Sequence, residues 1–283
     1  MLKVVGFWVC FTVFWAVSGQ MPHPKASPPA TVVQTVGFTQ IKVVYSRPSA
    51  NGRPIFGGLV PYGRIWRVGA NESTKFTIDQ DVKLAGHDLK KGTYVLYAFP
   101  EEKEWEIVVH ANLTHWGDGR DNYNSDEDVF RCTVTPQVVS DYQETFEISF
   151  DNLTHDSAFM VWRWAHTKIE IPIEVATLKQ MLTVIESNLS GKPTAQSYYE
   201  AARYFQEQQV QLERALVYVN RALEMGGDTY YYHRVKSLIL ADLGDFREAV
   251  SSAKTSLQLA DIQGKDEFVR MNLANIEKWK TKW

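Results

Sequence analysis

The hydrophobic pattern of this chain changes period once, at Pro172, and that switch constrains the fold more than any other feature. Upstream, short runs alternate apolar with polar residues and are rich in β-branched and aromatic types, as half-buried strands are. Downstream, Leu178, Met181, Leu182 and Ile185 fall three or four apart, on one face of a helix. A sequence that holds each period over a domain-sized stretch builds a β-rich body followed by a helical one.

The alternation places strands near Thr31–Val36, Gln40–Ser46, Thr74–Ile78, Gly92–Phe99, Trp105–His110, Val129–Thr135, Glu144–Phe150, Ala158–Trp164 and Lys168–Ile173. Gly86-His87-Asp88, Glu101-Glu102-Lys103 and Asp151-Asn152 read as turns. No helical pattern separates these strands, so the crossover helices of a parallel sheet are missing. The expected fold is an all-β antiparallel sandwich or jelly-roll domain over 31–174, followed by an all-α tetratricopeptide-like domain over 175–283. In the second part Gly191-Lys192-Pro193 breaks the first helix and Thr194 caps the next. Leu212 and Ala215 then align with Phe246 and Ala249, and Ala222 and Leu223 with Ser256 and Leu257, a repeat of 34 residues. That is the tetratricopeptide period, and Gly244, Phe246, Ala249 and Ala253 resemble that family's turn glycine, aromatic and small positions. Such repeats hold a protein or peptide partner in a groove. Tyr198, Tyr199, Tyr204, Tyr230, Tyr231 and Tyr232 either fill the core or line that groove.

The amino terminus predicts export. Lys3 precedes an apolar run from Val4 to Val17, shorter than a spanning helix, and Val17-Ser18-Gly19 offers small residues for cleavage. Residues 1–19 therefore read as a signal peptide and 20–30 as a linker, with Pro22, Pro24, Pro28 and Pro29. The expected location is periplasmic or extracellular, with no integral membrane segment after cleavage. Of the two cysteines, Cys10 lies in the signal and Cys132 remains, alternating with apolar neighbours as a buried thiol does. A net charge of −3 offers no basic face, so nucleic acid is not an expected partner.

Chemistry is expected in the long interval from Arg47 to Ser73. It carries five glycines, three prolines, and Arg47, Arg53, Arg64 and Arg67 among aromatic residues. Ile55, Phe56, Leu59, Val60, Ile65 and Trp66 are too apolar to leave it disordered. An ordered loop of this kind binds ligands or braces the domain, and both readings stay open. As a site it would use Arg47, Arg53, Trp66, Arg67, Asn71 and Glu72, with guanidinium forks suited to a small anionic ligand and rings suited to a glycan. The acidic run 118–128 crowds oxygen ligands of the kind that bind calcium, but it lacks EF-hand spacing and reads rather as a solvated loop. His110 and His115 lack a third zinc ligand, and Trp116 either stacks on a sugar or plugs the sandwich. No G-x-S-x-G, Walker loop or dinucleotide fingerprint occurs. No catalytic residue, metal ligand or cofactor is assigned. A hydrolase with dispersed residues, Glu72, His110, His115 and Asp118, is the rival to a binding module, and a structural scaffold is the third reading.

Four long words bear a resemblance. Residues 27–37 (S-P-P-A-T-V-V-Q-T-V-G), the stretch 45–74 from Y-S-R-P-S-A-N-G to G-A-N-E-S-T, 92–97 (G-T-Y-V-L-Y) and 144–152 (E-T-F-E-I-S-F-D-N) are similar to the domain of unknown function 2911 family of exported bacterial proteins. The resemblance implies a β-rich envelope domain, in some members with a helical tail, and brings no established reaction.

Overall fold

The computed structural model describes residues 23–114 and 123–282. The expected signal peptide, the start of the linker, His115, Trp116, Asp118 and the neighbouring part of the acidic run lie outside the described residues. Two compact units meet between Ala176 and Thr177.

The first unit is built from β1 (Pro29–Val36), β2 (Thr39–Ser46), β3 (Thr74–Ile78), β4 (Val82–Leu84), β5 (His87–Leu89), β6 (Gly92–Pro100), β7 (Trp105–His110), β8 (Asp128–Val134), β9 (Gln137–Asp151) and β10 (Ser157–Val175). They form two antiparallel sheets, β1-β2-β3-β6-β7-β8 and β5-β4-β10-β9. Strict alternation dictates this. In β2, Ile41 and Val43 are buried while Gln40 and Lys42 are exposed. The inward residues of both sheets share one core, which includes Ile41, Phe76, Leu96, Ile107, Ile148, Trp162 and Ile171. Pro29 opens β1, an edge strand where a missing N–H is tolerated.

Three differences from the sequence expectation have physical reasons. The β4–β5 hairpin was hidden because strands of three residues are too short to show a period. Its turn is Ala85-Gly86, both at positive φ, and His87 and Asp88 enter β5. The two segments expected at Ala158–Trp164 and Lys168–Ile173 are one strand, β10, whose alternation is interrupted by register shifts around Ala165, at φ 51°. β9 begins at Gln137, before the expected Glu144, and its first half is too exposed to alternate. Cys132 is buried, and burial pushes its thiol pKa up to about 11.

The second unit comprises α1 (Thr177–Ser190), α2 (Ala195–Glu207), α3 (Leu212–Glu224), α4 (Tyr230–Asp242), α5 (Phe246–Ile262) and α6 (Asp266–Lys280). Thr194 caps α2 in a capping box with Ser197. α2 packs on α3 and α4, and α4 on α5 and α6. Buried Ala202, Ala215, Ala222, Ala249, Ala253 and Ser256 permit close approach. Tyr199 stacks on Tyr232 at 4.5 Å and both are buried, whereas Tyr198, Tyr204, Tyr230 and Tyr231 are half-buried. No helix among the described residues is long and apolar enough to cross a membrane.

Candidate functional site

The interval from Arg47 to Ser73 is ordered and much of it is structural. Trp66 enters the core, where its ring lies 5.1 Å from Phe146 and 6.1 Å from Trp164, and its Nε1 donates to Gly69 O. Arg47 Nε donates to Phe146 O at 2.9 Å, and its Nη2 meets Glu147 at 3.4 Å. Arg53 donates to Ala50 O and Ser49 O at 2.9 and 2.7 Å. Arg67 Nη1 reaches Asn71 O at 3.3 Å. These guanidiniums therefore hold backbone carbonyls of their own unit and do not converge on one point. Of the six predicted residues, the structure brings Asn71 and Glu72 together at a cavity and places the others elsewhere.

The backbone leading into that cavity is strained. Val68 is buried at φ 56°, a region β-branched residues avoid, and Asn71 sits at φ 60°. Gly69, at φ 138°, lies so close to β2 that a Cβ would stand 2.7 Å from Ser46 O. Thr74 Oγ1 donates to Val68 O at 2.5 Å and Asn71 Nδ2 donates to Ser27 O and Ser46 Oγ, which holds the conformation in place.

The cavity has a volume of about 90 Å³ and its wall includes Lys25, Ser46, Asn71, Glu72, Ser73 and Lys75. Lys75 Nζ donates to Ser73 Oγ and to Leu113 O, each at 3.0 Å. Burial lowers the Lys75 pKa from the ordinary lysine value, and the Glu72 carboxylate opposes that shift. A larger depression of about 440 Å³ runs along the β4–β5 hairpin. Its lysines already pair with its aspartates, Lys90 with Asp81 at 2.8 Å and Lys83 with Asp88 at 4.0 Å. It offers less chemistry than the smaller cavity.

Strand register connects the cavity to a second polar group. Val44, Lys75, Val95, His110 and Asp128 lie on one row across β2, β3, β6, β7 and β8, on the outer face of the six-stranded sheet. His110 is fully buried, with Nδ1 2.8 Å from Asp128 Oδ1 and Nε2 3.5 Å from Glu127. Asp128 Oδ2 accepts from Tyr123 Oη at 2.6 Å and Arg131 Nε at 2.8 Å. Arg131 continues to Glu106 at 2.7 Å and packs over the Phe99 ring. Burial, then the Asp128 hydrogen bond, raises the Tyr123 pKa far above the usual phenol value. A bulge makes the network possible. His110 pairs with Asp128 but Val109 pairs with Phe130, so Val129 is extra. That one residue turns Asp128 to the face that Arg131 occupies.

The family model for DUF2911, described as a protein of unknown function, matches residues 27–173. This chain belongs to the DUF2911 family. No curated protein and no solved structure matches it. The matched stretch of this DUF2911 member contains the His110 network and every residue named at the cavity except Lys25. Sequence reasoning named Asn71, Glu72 and His110, held Tyr123 and Asp128 only as part of the acidic run, and missed Ser73, Lys75, Glu106 and Arg131. Lys75 had a readable signal, a lysine flanked by the inward Thr74 and Phe76 and thus fixed to the outer face. Asp128 had none, because plain alternation from Arg131 sends it inward.

Proposed function

We propose that this protein is an exported two-part binding module. Its DUF2911 unit takes a small anionic group, a carboxylate, phosphate or sulfate carried by a larger molecule, in the cavity beside Lys75. Its helical unit is tetratricopeptide-like and carries a protein or peptide partner. The observation behind the anionic site is the state of Lys75. Its ammonium is half-buried, its two hydrogen bonds go to neutral oxygens, and among the described residues it makes no ion pair within 4.0 Å. An anion entering the cavity recovers Coulomb energy that burial took away. The 34-residue spacing and the packing of α4 on both α2 and α6 support the tetratricopeptide-like reading. The segment 1–19 supports export.

The arginines proposed from sequence have a smaller part in this reading, because their hydrogen bonds are spent on the fold. Inorganic phosphate tests it. A ligand that binds only the native state stabilises it by about 2.7 kcal/mol at a hundredfold excess over Kd. A concentration-dependent rise in Tm is expected for the natural chain and its loss for Lys75→Ala. A Tm that ignores phosphate contradicts the reading.

A further inference from the structure

Two side chains at the cavity carry more chemistry than anion binding needs. Ser73 Oγ lies 3.0 Å from Lys75 Nζ, within reach of direct proton transfer. The same nitrogen is 3.0 Å from Leu113 O. In the neutral amine, an N–H held by that carbonyl leaves the lone pair to accept from the Ser73 hydroxyl. Both line the cavity, and the backbone that delivers them is strained at Val68 and Asn71, as backbones at functional sites often are.

We propose that Ser73 and Lys75 are a nucleophile and general base that remove a small acyl group from an ester. The proposal rests on the cavity being the ligand site. Desolvation favours the uncharged amine the role requires, since burial lowers the Lys75 pKa. In the first half, Ser73 Oγ bonds to the carbonyl carbon while Lys75 Nζ takes the hydroxyl proton. The intermediate collapses, the ester C–O bond breaks, and the leaving alkoxide takes that proton from Nζ. In the second half, water attacks the acyl-serine and gives a proton to Nζ. The carboxylic acid departs and Ser73 Oγ recovers the proton. The net change is ester plus water to acid plus alcohol, with no other reactant.

Size sets the substrate class. The cavity of about 90 Å³ suits a small acyl group such as acetyl better than a long acyl chain. The alcohol part stays outside, so an O-acetylated glycan or similar polyol ester fits. The product acid is itself a small anion. It binds the ammonium form of Lys75, and phosphate bound there is expected to inhibit by holding the lysine protonated.

The test incubates the full chain with p-nitrophenyl acetate, follows p-nitrophenolate release, and maps the trapped adduct by peptide mass spectrometry. One acetyl group on Ser73 is expected. Ser73→Ala is expected to remove it, and Lys75→Arg, which keeps the charge but cannot act as a base, to slow its formation about a hundredfold or more. Cooperative melting of each variant confirms folding. If Ser73→Ala does not fold, the adduct map and Lys75→Arg still decide. No adduct, an adduct elsewhere, or an unchanged rate in Lys75→Arg overturns the proposal. If phosphate still raises Tm in that event, only the acyl-transfer step is wrong; if it does not, the anionic site falls as well.

Discussion

The inner and outer faces of the six-stranded sheet share every backbone hydrogen bond and differ only in the parity of their side chains. The inner face is apolar apart from threonines such as Thr39 and Thr74, with Ile41, Phe76, Leu96, Ile107 and Cys132 closing onto the second sheet. The outer face is exposed at its β2 side and then becomes buried. Val95, Tyr97 and Val108 form a small second core there, with Ile65, Phe99 and Tyr123 packed against it. Lys75, His110, Asp128 and Arg131 lie around that second core. An ordinary antiparallel domain leaves such a face to water. Covering it without making it apolar forces each polar group to find a partner, and that requirement produces the network and the half-buried lysine.

The comparison predicts a ranking of damage. Trp105→Ala on the inner face is expected to cost about 3–5 kcal/mol, read as a shift in the denaturant midpoint. Asp128→Ala on the outer face is expected to cost about 3 kcal/mol, because it strands His110 and Arg131 without their shared acceptor. Deleting Val129 should cost far less, since it removes the extra residue and still leaves Asp128 opposite His110 on the outer face. A deletion as damaging as Asp128→Ala would break the account of the bulge.

Alkaline pH probes the same network more gently. The Tyr123 pKa is raised in the folded state, so below the ordinary phenol range its contribution is fully present. As pH rises through the folded value, that contribution is lost. Unfolding at increasing alkaline pH should show this decline, and Tyr123→Phe should flatten it. At the exposed rim the effect is smallest. Glu106→Gln, which weakens a pair that is partly solvated, is expected to cost about 1 kcal/mol or less.

The inner face was legible in the sequence because its alternation runs through long strands and has one physical cause, burial. β2 and β7 were located closely on that basis, and Thr194 marked its helix by a cap that acts locally. The outer face was not legible. His110 and Asp128 stand 18 residues apart and meet only through register, and the bulge at Val129 leaves no compositional trace. The arginines of the 47–73 interval misled for a related reason. A guanidinium that braces carbonyls and one that awaits a ligand look identical in sequence, and only the position of Phe146 O and Ser49 O tells them apart.

The central claim is that the outer face presents Lys75 as its ligand-binding cation, and carbon-labelled lysine observed by NMR during a phosphate titration tests it most directly. The account predicts that the side-chain resonance of Lys75 moves most among the lysines and that its pKa rises as phosphate binds. Small, uniform shifts across the surface lysines, with Lys75 unmoved, would contradict it.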